Sequence, residues 1–327
     1  MTEPSKRSLT VLFSSAGRRN QLMQCFREDA KRLGLGLRVL AADLQPELSP
    51  ACQQADAAFR VPRCTTPEFV PAMLDLCRKE KIDLLVPTID TELAVLSQHR
   101  TEFATLGIRV AISALEAVAL AGDKLATATK LAAVGVATPK SLPMADYLRD
   151  PTQLREPVIA KPKGGSASIG IVRPRHSREL ADLDPECYIV QELWQGREFT
   201  INVFFDQSGQ LRCAVPHERI EVRAGEVSKG ITRRMPALQA AAKKLAQVLP
   251  GATGPLCFQA VIMGSGEMAV FEINARFGGG YPLAHRAGAR FSQWLLEEAC
   301  GLPCTANDDW KEGVVMLRYD AAVFLND

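Results

Sequence analysis

Gln259, Glu272, Asn274 and Arg276 are the residues of this chain whose types and spacing most directly suggest chemistry. They lie in the stretch 258–276, where two apolar runs are joined by Gly264-Ser265-Gly266-Glu267, a hairpin signal. Folding about that turn sets Gln259 opposite Glu272. Glu272, Asn274 and Arg276 alternate with Ile273 and Ala275, so a period of two puts all three polar groups on one sheet face. Two amide oxygens and a carboxylate make an oxygen-rich cluster suited to a hard divalent cation such as Mg2+. A neighbouring guanidinium can meet a phosphate through two parallel hydrogen bonds. The competing reading is a half-exposed hairpin with an ordinary polar face.

Two further segments carry possible phosphate and nucleoside chemistry. Val158-Ile159-Ala160-Lys161-Pro162 runs into Lys163, Gly164, Gly165, Ser166, Ala167, Ser168, Ile169 and Gly170. The glycines let the backbone approach an anion closely, and successive N–H groups can form a phosphate nest. Ser166 and Ser168 add hydroxyl donors, and Lys161 a point charge. No Gly-Lys-Ser/Thr ends this loop and no helix follows it, so it is not a Walker A loop. A plain hairpin turn is the alternative. Farther on, an apolar strand ends in Gln191-Glu192-Leu193, whose backbone groups can pair with an adenine edge. Glu198 begins the next strand, where it can accept from ribose hydroxyls or simply be a surface acid.

The scaffold that positions these groups is legible in outline. A chain of 327 residues suffices for two or three compact units. With 47% hydrophobic and 23% charged residues it has the composition of a soluble globular enzyme. A net charge of +2 and only 6% aromatic residues argue against a nucleic-acid or membrane partner. The nine cysteines form no Cys-x-x-Cys pair and only four histidines accompany them, so zinc is not indicated. An odd number of thiols, mostly in apolar runs, fits a reducing cytoplasmic setting. The first eight residues lack a signal peptide's apolar core, and no run approaches a membrane span.

Residues 9–120 alternate short apolar runs with amphipathic segments. Strands are expected at 9–13, 37–42, 84–87 and 109–112, and helices at 19–33, 67–79 and 92–106. That alternation implies a parallel doubly wound sheet, whose ligands sit beyond the carboxyl ends of the strands. The loop 14–18 keeps one glycine where a dinucleotide loop wants three, so NAD is not expected there. A helix opens at Asp123-Lys124 and ends at Gly135. A strand-rich unit follows, with strands at 158–161, 170–173, 188–192, 198–205, 211–216 and 220–224. Then come a helix at 235–249, the hairpin, a helix at 292–300 and a last strand at 313–319.

The order Asp123-Lys124, Lys161 with its Gly-Ser loop, Gln191-Glu192-Leu193, Glu198, Gln259, then Glu272-Ile273-Asn274-Ala275-Arg276 resembles the ATP-grasp superfamily. It looks most like the branch similar to one half of the carbamoyl-phosphate synthase large chain, and the likeness covers nearly the whole chain. The resemblance implies a mixed α/β and α+β fold, a Rossmann-like parallel sheet followed by the two-subdomain ATP-grasp fold. The units would be 1–118, a small subdomain at 119–190 and a large one at 191–327. It implies ATP and Mg2+, with Mn2+ as an alternative. Lys124 and Lys161 would hold the α- and β-phosphates under the 164–170 loop. Gln191, Glu192 and Leu193 would form the adenine hinge and Glu198 would take the ribose. Gln259, Glu272 and Asn274 would ligate the metal, and Arg276 would neutralise the transferred phosphoryl. In similar proteins basic residues of the 216–232 stretch face the acyl group, which nominates Arg219 and Lys229.

The implied activity is ADP-forming ligation of a carboxylate to an amine through an acylphosphate, with small-molecule substrates and a homodimer left open. Phosphorylation or carboxylation without an amine, and a non-catalytic ATP-binding subunit, are the alternatives. Position alone sets Asp90 and Glu92 toward a substrate ammonium, and Arg18, Arg19 and the Gly279 backbone toward a substrate carboxylate. His217 and His285 are candidate proton carriers, with structural roles as the alternative. The chain carries no second synthetase half and no glutaminase or biotin-carrier segment, so full carbamoyl-phosphate synthesis is not expected.

Overall fold

The computed structural model describes residues 7–164 and 170–325, and their strands form three sheets. The first is parallel, with strand order β3-β2-β1-β4-β5: β1 is Ser8–Ser14, β2 Gly36–Asp43, β3 Ala57–Arg60, β4 Leu84–Pro87 and β5 Arg109–Val110. Val11, Leu12, Phe13, Val39, Leu40, Leu84 and Leu85 are all fully buried, as the continuous apolar runs of a sheet covered on both faces require. The helix Asn20–Arg32 turns Leu22, Met23, Phe26 and Ala30 inward and ends ahead of Gly34, whose φ of +70° suits glycine. Strand β3 was not expected. It is a four-residue edge strand whose residues alternate between half-buried and exposed, so no apolar run announces it. The helix expected at 92–106 breaks at His99 into Leu93–Gln98 and Arg100–Thr105.

A three-stranded antiparallel sheet follows, in the order β6-β8-β7: β6 is Ser141–Pro143, β7 Val158–Pro162 and β8 Tyr188–Glu192. It has its own core, including Met144, Tyr147, Val158, Ala160, Leu180 and Val190. Strand β8 runs through residue 190, so the subdomain limit read from the sequence falls inside a strand. The strand expected at 170–173 reduces to a single bridge between Ala160 and Val172.

The third sheet is antiparallel and six-stranded, in the order β13-β12-β9-β10-β11-β14. Its strands are β9 Arg197–Phe205, β10 Leu211–Arg223, β11 Glu226–Thr232, β12 Gly254–Ile262, β13 Met268–Asn274 and β14 Val315–Leu317. One continuous β10 replaces the two strands expected there, because the register slips around Ile220 instead of the strand ending. Strand β11 was read as a polar connection, since Lys229 and Gly230 interrupt its apolar pattern.

Register across this sheet builds a polar row. Glu272 pairs with Gln259, Gln259 with Thr200, Thr200 with His217 and His217 with Thr232, so five strands contribute to one line. Alternate residues Phe199, Ile201, Val203 and Phe258 belong to a core shared with the helix Pro236–Val248 and with Leu12, Leu40 and Leu85 of the parallel sheet. A second core joins Val11, Phe13 and Phe26 to Phe277, Tyr281, Phe291 and Trp294. The parallel and six-stranded sheets are therefore fused through two apolar cores.

Candidate active site

The hairpin β12–β13 has the register that the site needs, reached by a different route. The loop has three residues, not four: Met263 N donates to Glu267 O at 2.8 Å, and Gly266 adopts φ +90°. A bulge at Phe271 then restores the register, so that Gln259 faces Glu272 and Cys257 faces Asn274.

A cleft of about 630 Å³ lies between the three- and six-stranded sheets. Lys124, Lys161, Gly164, Gln191, Glu192, Leu193, Glu198, Arg219, Gln259 and Glu272 all line it, so most of the residues singled out from sequence share one space. Ile159, Ile171, Val261 and Phe271 supply apolar wall. Gly165, Ser166 and Ser168 lie outside the described residues.

Lys161 is 9% exposed and donates to Gln191 Oε1 at 2.7 Å, while Gln191 Nε2 donates to Ser141 Oγ at 2.8 Å. Its ammonium also sits 5.1 Å from the centre of the Phe271 ring. Burial pulls its pKa down to about 8, against the opposing pull of the Glu272 carboxylate and with the repulsion of Lys124 adding to the fall. Lys124 follows Asp123, whose carboxylate caps the helix by accepting from the N–H groups of Leu125 and Ala126, both at 2.9 Å. Lys124 Nζ reaches Pro162 O at 3.2 Å, which brings it to the same end of β7. One part of the expected hinge is altered. Leu193 N–H, one of the backbone groups of that segment, donates to Pro157 O at 2.7 Å, and the Gln191 side chain is engaged with Lys161.

Arg219 lies over the polar row, donating to Thr200 Oγ1 and Gly225 O, each at 3.2 Å, and sits 3.4 Å from the exposed Glu198. Lys229 is a correction. It is half-exposed, pairs with Glu221 at 2.7 Å and does not line the cleft.

Asn274 Oδ1 accepts from Arg276 at 3.1 Å, and Arg276 Nε donates to Asp90 Oδ2 at 3.0 Å. Burial would lower the Arg276 pKa, but the Asp90 carboxylate more than offsets it, so the guanidinium is held firmly charged. Asp90 thus meets a protein arginine where the sequence reading gave it a substrate ammonium. Glu92 departs further from expectation. It is fully buried, accepting from Thr88 N at 2.8 Å, Ile89 N at 3.2 Å and Ser15 Oγ at 2.9 Å, and it pins the loops after β1 and β4 together. Gln259, Glu272 and Asn274 offer only oxygen, and no group of three or more His, Cys, Asp or Glu that could hold a metal occurs among the described residues. That donor set fits a hard cation such as Mg2+ and not a thiophilic one. Cys257 does not change this, since burial raises its pKa to about 11 and keeps it a thiol.

His217 is fully buried, its pKa lowered to about 3 by burial first and by Arg219 and Arg318 next, so it is a neutral member of the row. His285 pairs with buried Asp29 at 3.0 Å, joining the helices Asn20–Arg32 and Tyr281–Arg286, a structural role. Arg18 is exposed, and Arg19 pairs with Glu226 at 3.0 Å. Gly279 lies against the same acid: an added Cβ would fall 2.7 Å from the Glu226 carboxyl carbon. Glu226, Thr200 and Arg318 were missed. Thr200 could have been found by continuing the Gln259–Glu272 alternation onto β9, whereas Glu226 opens the strand that was not recognised.

Residues 11–111 match the PylC-like, N-terminal domain family, and residues 121–280 match the ATP-grasp domain family. The chain carries an ATP-grasp domain at residues 121–280. The ATP-grasp match runs from the helix carrying Lys124 to the glycines after Arg276. D-alanine–D-alanine ligase from Pseudomonas putida (strain GB-1) is 32% identical over 177 residues, 51% of this chain and 55% of that protein. The chain thus spans about half the length of the curated relatives it matches. Among solved structures, an ATP-analogue complex of biotin carboxylase from Campylobacter jejuni superposes with a TM-score of 0.74 at 14% identity, covering 93% of this chain and 73% of that one. N5-carboxyaminoimidazole synthetase from Staphylococcus aureus gives 0.67 at 17% identity, covering 91% and 79%. At such identities these structures speak to the ATP-grasp fold alone.

Proposed function

We propose that this ATP-grasp protein is an ADP-forming ligase that joins a small carboxylate to an amine, an amino acid or short peptide. The observation that carries the reading is the convergence of Lys161, Gln259 and Glu272 on one cleft, with Asn274 and Arg276 continuing the same strand. The ligases among its relatives support the reaction class. In this reading Lys124 and Lys161 hold the α- and β-phosphates of ATP, and Glu198 takes the ribose. Gln259, Glu272 and Asn274 would hold Mg2+, which would supply charge neutralisation to the phosphates. A carboxylate oxygen attacks the γ-phosphorus, the bond to the bridging oxygen breaks, and ADP leaves. Arg276, held charged by Asp90, neutralises the phosphoryl group in flight, and Arg219 meets the acylphosphate. The amine then forms the C–N bond and phosphate departs with the acyl–oxygen electron pair.

The units we assign are the parallel-sheet unit up to residue 118, a small subdomain ending with β8, and the six-stranded remainder. We place the protein in the cytoplasm, and a homodimer is consistent with this assignment. No helix among the described residues is long and apolar enough to cross a membrane.

The test is ADP release from the purified chain with MgATP and panels of carboxylate–amine pairs. Glu272→Ala is expected to abolish release. Formation of AMP and pyrophosphate would overturn the mechanism. ADP release that needs no amine, or that needs bicarbonate, would replace ligation with phosphorylation or carboxylation.

A further inference from the structure

Four separated parts of the chain meet at Glu226. Arg19, at the start of the first helix, donates to Oε1 at 3.0 Å, and Arg318, just past β14, donates to Oε2 at 2.9 Å. Arg318 also donates from Nη2 to the carbonyl of Gly279, which ties the glycine loop into the cluster. Its own backbone N–H donates to Ser228 O at 2.8 Å, so pairing with β11 fixes where this side chain starts. The side chains of Arg19, Glu226 and Arg318 remain 20%, 28% and 20% exposed, so the cluster opens to solvent. It adjoins the reaction centre: Gly279, whose carbonyl Arg318 holds, lies three residues past Arg276, and the Arg276 charge repels that of Arg19.

The charges here do not balance. Arg276 is matched by Asp90, and Arg219 by Glu198. Arg19 and Arg318 both pair with Glu226, two cations on one carboxylate, and the exposed Arg18 adds a third positive charge that acts on it. Two unmatched positive charges in a partly buried cluster repel each other, and an anionic ligand would relieve them. Arg318 Nε is moreover buried without an acceptor, and guanidinium donors of this kind suit carboxylates geometrically. Glu226 supplies the complementary acceptor for an ammonium group.

We infer that this cluster is the binding site of the amine-bearing substrate, and that this substrate is an amino acid carrying a second carboxylate. Its ammonium is held by Glu226 and its two carboxylates by Arg18, Arg19 and Arg318. The inference rests on the ligase reading, which supplies the need for an amine beside Arg276.

The experiment is calorimetric titration of the full chain, with and without a non-hydrolysable MgATP analogue, using glutamate, aspartate, glutarate, alanine and lysine as probes. Glutamate or aspartate is expected to bind at least tenfold more tightly than alanine or lysine. Arg318→Met should weaken that binding at least tenfold and leave analogue binding unchanged, which also controls for folding. Glu226→Gln should weaken glutamate and spare glutarate. If Arg318→Met loses the analogue as well, the glutamate-to-glutarate ratio in Glu226→Gln decides. Equal or tighter binding of alanine or lysine, no binding of any probe, or an unchanged ratio in Glu226→Gln would overturn the inference. If the analogue fails to bind the wild type while glutamate binds, the ligase reading falls and the amino-acid site stands.

Discussion

Lys161 shows how burial prepares one residue for an anionic ligand. Burial of its ammonium, which Gln191 holds in place, brings the pKa down to about 8 before any phosphate arrives. A bound phosphate favours the charged form and must raise that value. The sign of the linkage follows. Below pH 8 the amine is already charged and binding takes up no proton at this site. Above pH 8 each binding event must first recharge it, so MgATP affinity should fall by up to about tenfold per pH unit until the bound-state pKa is passed. Calorimetry at pH 8.5 in buffers of different ionisation enthalpy should register net proton uptake, and Lys161→Met should remove it. A flat affinity from pH 7 to 9.5 would show that Lys161 does not touch the phosphates. Arg276 makes a second case. Asp90→Asn leaves a buried guanidinium without its carboxylate, which should cost about 3 kcal/mol in urea unfolding and lower the rate of ADP formation more than MgATP affinity. Residue types and spacing singled out Lys161, Gln259 and Glu272 in the sequence, and the three line one cleft. Side-chain direction in a tight turn was not legible. Glu92 was read as facing substrate, yet the backbone N–H groups of Ile89 and Thr88, three and four residues back, compete for it and win.

At the scale of elements, strands that are apolar on one side and polar on the other were readable, and interrupted ones were not. The β12–β13 hairpin was found by its alternation, although the three-residue loop and the Phe271 bulge, which together keep the register, were invisible. Strand β11 was lost because Lys229 and Gly230 break its pattern, and with it went Glu226. Gly230 and the glycines 278–280 have one physical explanation in common: the backbone passes too close to neighbours for a side chain. A Cβ on Gly280 would fall 2.5 Å from His217 Nε2, and one on Gly278 would meet Cys257 Sγ at 3.0 Å. His217 cannot retreat, being fully buried in the polar row with Asn202 at 3.2 Å. Gly280→Ala is therefore expected to cost about 1–3 kcal/mol through overpacking and to lower turnover by displacing the loop beside Arg276. Gly264→Ala, at a turn where an added Cβ meets nothing within 4 Å, should change stability by less than about 1 kcal/mol. Urea unfolding of both variants, with ADP assays, separates the two; equal effects would show that the close approach is not what makes Gly280 necessary.

Across the whole molecule, the distribution of apolar contacts sets which bodies can move. The parallel and six-stranded sheets share two cores, one running from Leu12 and Leu40 to Phe258, the other from Phe13 to Trp294. The three-stranded sheet packs on a smaller core of its own, centred on Tyr147, Ala160 and Val190. The cleft lies between this small body and the fused remainder, with Lys161 and Gln191 on one wall and Gln259 and Glu272 on the other. A ligand that bridges the walls couples two units that otherwise open independently, since local opening follows the number of buried contacts holding each unit. Hydrogen exchange should then show peptides from β7 and β8 exchanging faster than those from β9 and β12 in the free protein. A non-hydrolysable MgATP analogue should slow β7 and β8 by at least tenfold while changing β2 and β4, which lie outside the cleft, by much less. Arg276→Ala should leave that protection largely intact, because the cleft walls a ligand would bridge carry Lys161, Gln259 and Glu272 and not Arg276. Uniform protection of all three sheets would mean that the small sheet is no separate unit, and that the cleft is fixed before nucleotide enters it.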